Sequence, residues 1–391
     1  MPRLLIVTTV PVTLRAFLLP FARHYAARGW RVDALARGAT GCTECEAAFH
    51  RVWDVDWTRN PLDVTNLRNA PRRVREIVER EGYDLVHVHT PVAAFVTRWA
   101  LRSLRRRGRP KVIYTSHGFH FQRGGGACRN ALFRALEKIA GRWTDELVVI
   151  NEEDLAAALR DRIVPPDRVH FMPGIGVDTE RCSPTMVPDC DVAAVRSTLG
   201  LAPDAPLFLV VGEFIPRKRH ADVLRAFAAL GEPSAHLALA GDGPLRARLQ
   251  QHAIDLGLKD RIHFLGYRRD VPALVRASTA VVLVSGQEGL PRSVMEALAL
   301  EVPVIGSDIR GTRELLADGH GLLVPTGDAG RLAGAMRRIL DEPEMARALA
   351  RRGRARMLDG YDLASIIRKH DDLYDAALPV APPSPLLARC P

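Results

Sequence analysis

The stretch that most restricts the fold is Ser285-Gly-Gln-Glu288-Gly-Leu-Pro291-Arg-Ser-Val-Met-Glu296-Ala-Leu-Ala. It follows an apolar run, Ala280–Val284, that predicts a buried strand, and Pro291 suits the first position of a helix. We therefore predict a strand, a glycine-flanked loop that carries Glu288, and a helix that carries Glu296 in its second turn. Because the free amides at the start of a helix attract anions, this loop is a candidate anion site.

The same alternation of short apolar runs and longer amphipathic stretches extends along the whole chain. In the first half, the predicted strands are Leu4–Val7, Val32–Ala36, Leu85–His89, Val112–Thr115, Leu147–Ile150 and Val169–Met172. The helices predicted between them are Leu14–Arg28, Ala70–Glu81, Ala93–Arg107, Asn130–Gly141 and Glu152–Asp161. In the second half, the predicted strands are Leu207–Val211, Leu237–Ala240, Ile262–Leu265, Ala280–Val284, Val302–Ile305 and Gly321–Val324.

This pattern predicts an α/β protein with two doubly wound, Rossmann-like domains that face each other across a deep cleft. Short apolar runs without alternation favour parallel strands buried on both faces, with right-handed helical crossovers between them. Ligands of such sheets bind beyond the carboxyl ends of the strands. We therefore expect the active site between the domains, with each domain contributing one substrate.

Proline content and helical patterns give the expected boundaries. Two domains are predicted at 1–183 and 207–360, and prolines favour a linker region at 184–206, with a short helix at Val192–Leu199. The last helical pattern, 361–378, is predicted to pack back on the first domain. The proline-rich tail, 379–391, is predicted to be disordered.

Composition excludes several classes of protein. The 391 residues are 47% hydrophobic and 26% charged, with a formal net charge of +10, which excludes a disordered, collagen-like or coiled-coil chain. No run approaches the ~18 apolar residues of a membrane-spanning helix. We expect a cytoplasmic protein, at most peripheral to the inner face of the plasma membrane. The basic cluster Arg102–Lys111 is interpreted as a solvated helix end or a contact for anionic lipid, and without interleaved aromatic residues it does not favour nucleic acid.

Cysteine and histidine spacing does not favour a metal or redox site. The single CxxC at 42–45 has no second pair at zinc spacing. His87 and His89 share one strand face, while His117 and His120 follow another predicted strand. One strand and one loop do not define four ligands, so we expect neither a metal nor another bound cofactor.

The loop and helix with the two glutamates belong to a longer pattern: Glu288-Gly-Leu-Pro, Glu296-Ala, Pro303-Val-Ile and Gly311-Thr-Arg-Glu314. This pattern resembles the signature of the family 4 glycosyltransferases, a retaining group with the GT-B fold. The resemblance covers about residues 3–375. The further matching segments are Gly212-Glu-Phe-Ile-Pro-Arg217-Lys218, Gly241-Asp-Gly-Pro244, Gly266-Tyr-Arg268, His87-Val-His89-Thr-Pro, Thr115-Ser-His117-Gly-Phe-His120 and Pro173-Gly-Ile-Gly-Val-Asp178. The two histidine-containing segments look like the subgroup that builds surface polysaccharides and protein-linked glycans.

The resemblance implies a function and a set of site residues. It implies sugar transfer with retention from a nucleotide-sugar donor, with UDP as the commonest carrier, and without a divalent metal. Because no carboxylate is placed as a nucleophile, we favour front-face attack. The first domain would bind the acceptor and the second the donor. The implied donor-binding residues are Gly212, Arg217, Lys218, Arg268, Glu288, Gly289, Leu290 and Glu296. The implied catalytic residues are His117, Glu288, Arg217 and Lys218.

Individual roles also follow from the resemblance. Arg217 and Lys218, with the amides at the helix start, would stabilise the departing diphosphate. Glu288 would hold hydroxyls of the donor sugar and Glu296 would hold the ribose, while His117 would lie near the reacting carbon.

The chain departs from the family pattern at three places. Glu213 stands where many members have arginine, so binding of the diphosphate would depend more on Arg217 and Lys218. Glu301 stands where glycine is common, and it is strained if that turn needs a left-handed residue. Val12-Thr-Leu-Arg15 stands where many members have a Gly-Gly loop that approaches the donor phosphate and the acceptor. The acceptor of this chain therefore cannot be assigned by analogy with the family.

The acceptor therefore stays open at the sequence level. A glycan on a lipid diphosphate would explain the basic cluster at Arg102–Arg107. A small natural product such as an aminocyclitol in antibiotic biosynthesis is the alternative, and it would use acidic residues such as the group Glu44, Glu46, Asp54 and Asp56. More remote alternatives are a nucleotide-sugar epimerase, a donor-binding but inactive subunit, and a basic nucleic-acid-binding protein.

Overall fold

A computed structural model describes residues 1–58, 63–121 and 125–378 in two compact units. Unit 1 contains Met1–Ile150, Asp154–Met172 and the C-terminal segment from Ile367. Unit 2 contains Asn151–Glu153 and Pro173–Ile366. The tail at 379–391, for which disorder was predicted, lies outside the described residues.

Unit 1 is built on a seven-stranded parallel sheet with the order β3-β2-β1-β4-β5-β6-β7. Its strands are β1 (Arg3–Val7), β2 (Arg31–Ala36), β3 (Arg51–Asp54), β4 (Leu85–Val88), β5 (Lys111–Ser116), β6 (Glu146–Val149) and β7 (Val169–Phe171). Its helices are α1 (Pro11–Thr13), α2 (Leu19–Ala27), α3 (Thr43–Ala48), α4 (Val64–Leu67), α5 (Asn69–Glu81), α6 (Pro91–Arg105), α7 (Ala127–Gly141) and most of α8 (Glu152–Asp161). A π-helical turn, Leu14–Leu18, separates the first two helices, and a 3-10 turn, Pro166–Arg168, precedes β7.

Unit 2 is built on a six-stranded parallel sheet with the order β10-β9-β8-β11-β12-β13. Its strands are β8 (Leu207–Val211), β9 (His236–Ala240), β10 (Ile262–Gly266), β11 (Ala280–Leu283), β12 (Val304–Ser307) and β13 (Leu322–Val324). Its helices are α9 (Asp189–Thr198), α10 (His220–Leu230), α11 (Arg246–Asp255), α12 (Val271–Arg276), α13 (Arg292–Ala299), α14 (Thr312–Leu316), α15 (Ala329–Asp341), α16 (Pro343–Gly360) and the start of α17 (Leu363–Ala377). Short 3-10 turns occupy Pro184–Met186, Pro216–Lys218 and Lys259–Arg261.

The central strands of both sheets are apolar on both faces, as expected if helices pack against both sides of each sheet. Ile6 and Leu5 point to opposite sides of β1 and both are buried, and Val281 and Val282 of β11 behave in the same way. The prediction of two parallel α/β sheets is confirmed. In each sheet the strand order reverses beside the first strand, between β1 and β4 and between β8 and β11. Such a reversal opens a crevice at the carboxyl ends of the strands.

The proline-containing region 184–206, for which we expected a linker, contributes to unit 2. Val187 and Val195 are buried in its core beside Leu207 and Leu274. Val195 belongs to α9, and it faces the core while most polar residues of that helix are exposed. These buried side chains anchor the region to the unit that follows it in sequence.

The end of α17 packs within unit 1. Tyr374 is buried among Tyr25 and Trp30, with ring centroids 4.8 and 6.0 Å away. Asp371 accepts hydrogen bonds from Arg28 Nη1 at 2.5 Å and pairs with His24 Nε2 at 3.0 Å. Within the described residues, no helix combines the length and the apolar character needed to cross a bilayer.

Candidate active site

The most concentrated group of predicted site residues lies at the carboxyl edge of the unit 2 sheet. Gly212 follows β8 directly, and a 3-10 turn then carries Arg217 and Lys218. The next residue, Arg219, has a left-handed backbone with φ +49°, which ends the turn and starts α10. A Cβ at Gly212 would lie 3.7 Å from Lys218 Cε, so the lysine stem runs along the backbone of the glycine.

Two cations share a single carboxylate in this group. Lys218 Nζ lies 2.8 Å and Arg217 Nη1 lies 3.0 Å from the same oxygen, Glu288 Oε1. The carboxylate is 9% exposed and the lysine 14%, whereas the arginine is 42% exposed. One negative charge opposite two positive charges leaves a net positive charge beside a nearly buried carboxylate, and this surplus charge is suited to a bound anion.

Hydrogen bonds hold the loop of the cations against the loop of the carboxylate. The carbonyl oxygen of Arg217 accepts from Gly286 N at 2.8 Å and from Ser285 Oγ at 3.1 Å. In return, Arg217 Nη1 donates to the carbonyl of Gln287 at 2.6 Å. Ser285 N also donates to Ser307 Oγ at 3.0 Å, which joins the ends of the neighbouring strands β11 and β12. These hydrogen bonds join the two loops through groups of the protein itself.

A glycine contact fixes the loop that precedes α13. Gly311 has φ +54°, and a Cβ there would lie 1.5 Å from the carbonyl oxygen of Gly289. The Gly311 position therefore admits no side chain while the loop keeps this conformation. Leu290 packs against Gly174, where a Cβ would lie 3.3 Å from the leucine Cδ1.

Pro291 differs from its predicted position by one residue. It is the N-cap of α13 with φ −73° and ψ 116°, and the first helical residue is Arg292. The proline ring fixes φ but permits the extended ψ of a cap, so the residue type did not decide between the two positions. Glu296 lies in the second turn, as predicted.

Two other predicted donor-binding residues make ion pairs of their own. Glu296 Oε1 accepts from Arg292 Nε at 2.7 Å, one helical turn earlier. Arg268, in the loop after β10, pairs with Asp270 through Nε–Oδ1 at 2.8 Å. This pairing raises the pKa of the Arg268 guanidinium and lowers the pKa of the Asp270 carboxyl. Neither residue contacts the Arg217–Lys218–Glu288 cluster through these bonds.

His117 belongs to unit 1, at the end of β5. Its Nε2 lies 3.2 Å from His89 Nδ1, and the two rings are 5.4 Å apart and 27° from parallel. Burial, with a smaller effect of His370, lowers the pKa of His117 to about 4. The imidazole is therefore neutral at physiological pH, and it acts through hydrogen bonds rather than through charge.

The contact between His89 and His117 was not predicted, although a signal for it existed. Both residues follow strands that are neighbours in the sheet, β4 and β5. Because the carboxyl ends of parallel strands meet at one edge, histidines at corresponding positions come together. His220 was also missed, and it is buried two residues after Lys218, with its ring 4.8 Å from that of Phe214.

Clustered histidines can also bind a metal ion. Within the described residues, no group of three or more His, Cys, Asp or Glu side chains has an arrangement that could hold a metal ion. His87 is instead engaged by protein groups, because its Nδ1 contacts the Tyr374 hydroxyl and its Nε2 lies 2.7 Å from Thr115 Oγ1.

Comparison with protein families assigns both halves of the chain. The model described as "Glycosyl transferases group 1" matches residues 191–356, and the model described as "Glycosyl transferase 4-like domain" matches residues 14–174. The chain is 33% identical to the putative glycosyltransferase EpsD of Bacillus subtilis, over 96% of both chains. All residues of the cluster at 217, 218 and 288 lie inside the first match.

Two further relatives carry names that specify a reaction. One is a UDP-Gal:alpha-D-GlcNAc-diphosphoundecaprenol alpha-1,3-galactosyltransferase of Escherichia coli, 28% identical over 76% of this chain and 77% of that protein. The other is an alpha-D-kanosaminyltransferase of Streptomyces kanamyceticus, 26% identical over 75% of this chain and 76% of that protein. Among solved structures, Anabaena HepE in complex with UDP-glucose matches with a TM-score of 0.79 and 19% identity, over 96% of this chain and 100% of that one. This match shows a shared fold.

Proposed function

The chain belongs to the group 1 glycosyltransferases, with the GT-B fold, and on that premise we propose that it is a cytoplasmic enzyme that transfers a sugar from a UDP-sugar to a hydroxyl of a lipid-linked glycan. The observation that carries the proposal is the cluster of Arg217, Lys218 and Glu288. Its surplus positive charge suits the diphosphate of a nucleotide sugar. The UDP carrier is supported by the relatives and by the fold that the chain shares with a UDP-glucose complex.

The cluster would act on the leaving group. As the anomeric bond breaks, negative charge develops on the diphosphate, and fixed cations stabilise this charge more than that of the ground state. Arg217 is held by its hydrogen bond to the Gln287 carbonyl, and both cations are held by Glu288, so they would need little rearrangement. A phosphate oxygen of the leaving group would accept the acceptor proton, in a front-face attack that retains the anomeric configuration.

Glu288 has a free position for the donor sugar. Both of its ion pairs use Oε1, which leaves Oε2 for a sugar hydroxyl. Glu296 would bind the ribose diol, with its orientation set by Arg292. Gly212, the amides of Gly289 and Leu290, and Arg268 would complete the donor site.

A basic and apolar surface on unit 1 supports a lipid-linked acceptor. The exposed cations at the ends of α6 and α7 include Arg106, Arg107 and Lys138, and Arg105 joins the two helices by donating to the carbonyl of Arg142 at 2.7 Å. On α7, the exposed apolar side chains include Leu132 and Ile139. We call these exposed residues the α6–α7 surface. Cations beside apolar side chains fit an anionic membrane.

The alternative acceptor, an aminocyclitol, has the kanosaminyltransferase relative in its favour. The acidic residues that it would use have other partners in the structure. Asp54 accepts from Gly38 N at 2.9 Å and Glu46 accepts from Gly41 N at 2.8 Å. Glu44 and Asp56 lie 3.8 and 3.4 Å from arginine nitrogens. These contacts favour the lipid-linked acceptor.

The test is a transfer assay with the full chain. A panel of UDP-sugars is incubated with a polyprenyl-diphosphate-linked N-acetylhexosamine or with an aminocyclitol, and UDP release and product mass are measured. We expect product only with the lipid-linked acceptor, with the anomeric configuration of the donor retained in its NMR spectrum. Product with the aminocyclitol alone would overturn the lipid-linked acceptor, and a new sugar formed from donor alone would indicate an epimerase. If no UDP is released with either acceptor, the proposed transfer itself is overturned.

A further inference from the structure

A row of aromatic side chains runs through the carboxyl edge of the unit 1 sheet to His117. Tyr374 contacts His87, the ring of His87 lies 4.1 Å from the ring of His89, and His89 contacts His117. His87 and His89 are almost fully buried, at 1% and 3% exposure, while His117 is half-buried. Only the last member of this row is accessible to a ligand.

The ring nitrogens of His89 are in unequal surroundings. Nδ1 faces His117 Nε2 at 3.2 Å, whereas Nε2 is buried without a hydrogen-bond partner. Burial, with the neighbouring histidines, holds the pKa of His89 well below its usual range, so the ring is neutral and carries one proton. That proton is on either Nδ1 or Nε2, and the two cases differ in cost.

A proton on Nε2 would leave a buried N–H donor without a partner, whereas a proton on Nδ1 leaves a bare nitrogen acceptor at Nε2. Unpaired buried N–H groups are rarer in proteins than under-used acceptors. The Nδ1–H form of His89 is therefore favoured, and it donates its proton to His117 Nε2. His117 Nε2 must then be bare, which places the proton of His117 on Nδ1.

We propose that His89 is a positioning residue that fixes His117 as the Nδ1–H tautomer, so that His117 presents a neutral hydrogen-bond donor to an oxygen of the bound substrate. This inference rests on the proposed function for the identity of the substrate, but the tautomer itself does not depend on it. Free histidine prefers the other tautomer, with the proton on Nε2, so the protein must impose this one. His89 supplies the group that does so.

Substitutions at position 89 distinguish a role of the His89 hydrogen bond from a role in packing. An asparagine amide lies where the Nδ1 of a histidine lies, and a glutamine amide lies nearer to Nε2. We expect His89→Asn to keep most of the wild-type kcat. His89→Gln and His89→Leu should lower kcat by about 100-fold, the scale for a misplaced catalytic group, with little change in the KM of the donor. Equal losses for the asparagine and glutamine variants, at equal melting temperatures, would overturn the proposal.

A second histidine pair gives the control. His236 Nδ1 lies 3.1 Å from His263 Nε2, on the neighbouring strands β9 and β10 of unit 2. These residues lie near the amino ends of their strands, away from the carboxyl edge. His236→Leu should leave kcat unchanged.

The tautomer is measured directly in the full chain with ¹⁵N-labelled histidine, by two-bond proton–nitrogen correlation NMR, with His117→Gln to assign the signal. We expect the proton of His117 on Nδ1 in the wild-type protein and on Nε2 in His89→Leu. A wild-type His117 with its proton on Nε2 would overturn the inference, even in an active enzyme. The expected tautomer in a protein without transferase activity would refute only the proposed function.

Discussion

Glu288 is the residue on which the proposed donor site depends, because one carboxylate pairs with both cations. Lys218→Met removes one cation and leaves the Arg217–Glu288 pair in place. We expect kcat to fall by about 100–1000-fold, as for the loss of one fixed group that stabilises developing negative charge. Steady-state assays of UDP release measure it. Lys259→Met, in a 3-10 turn at the opposite end of the sheet, is the matched control, and equal activity of the two variants would refute the role of Lys218.

His220 gives a pH dependence with a defined sign. Both of its ring nitrogens are buried without partners, and burial, with a smaller effect of Lys218, lowers its pKa to about 4. The unfolded chain, with a histidine pKa of about 6.5, binds the proton first, so the folded state loses stability as the pH falls from about 6.5 to 4.

His220→Phe removes this titration and the unpaired nitrogens while it keeps a ring against Phe214. We expect the slope of the free energy of unfolding against pH to decrease by up to about 1.4 kcal/mol per pH unit in that window. Melting temperatures at pH 7.5 and 5 measure the difference. An equally large fall for the wild type and the variant would contradict the account.

For Glu301 the sequence predicted strain if its turn needs a left-handed residue, and the structure has that conformation. It has φ +57° after the last turn of α13, where a side chain is unfavourable by about 1–2 kcal/mol. Glu301→Gly should raise the melting temperature by about 2–8 °C. Glu301→Ala keeps the Cβ and should not raise the melting temperature in this way. A similar rise in both variants would show that the effect comes from the loss of the charge.

At the residue scale, the sequence therefore predicted features of the local backbone, such as the left-handed turn at Glu301 and the loop that carries Glu288. It did not predict partners that depend on strand order. The contact of His89 with His117 needs β4 next to β5, and the shared use of Glu288 Oε1 needs two loops far apart in the chain. Neither follows from local spacing.

At the scale of elements, Gly311 at the start of α14 supports the loop before α13. Gly311→Ala would place a methyl group against the Gly289 carbonyl. The loop must move, so we expect a large rise in the KM for the donor and a lower melting temperature. Gly334→Ala is the control, because that glycine lies inside α15 with open space around it, and alanine should stabilise the helix by up to about 1 kcal/mol. Unchanged donor KM in Gly311→Ala would contradict the packing role.

The predicted elements agree with the observed ones to within a few residues, except at the edge of the first sheet. Strand β3, Arg51–Asp54, was not predicted, because an edge strand with one buried aromatic residue lacks the continuous apolar run of a central strand. The helix before it, α3, is only six residues long and has too few apolar positions to show a period.

At the scale of the whole molecule, the net charge of +10 is concentrated in part on the α6–α7 surface. We expect the protein to bind vesicles that contain anionic lipid, and to bind more weakly as salt increases. Arg106→Glu combined with Arg107→Glu should weaken this binding in co-sedimentation by at least tenfold, at about 1 kcal/mol per basic residue. Arg347→Glu with Arg351→Glu, on α16 of unit 2, should not, and equal losses would indicate a non-specific effect of net charge.

The fold was predictable because central parallel strands show plain apolar runs and because the motifs mark where loops meet the carboxyl edge. The acceptor was not, because it depends on surface residues that no local pattern constrains. Even the acidic group at 44–56 looked available in the sequence and is occupied by backbone amides and arginines in the structure.

The most direct test of the central claim, a UDP-sugar site at the carboxyl edge of the unit 2 sheet, is calorimetric titration of the full chain with UDP, GDP, ADP and dTDP. The wild-type protein should bind UDP most tightly, and Glu296→Ala should lose most of that affinity. Failure of the wild-type protein to bind any of the four nucleotides, or equal UDP affinity in Glu296→Ala, would contradict the account.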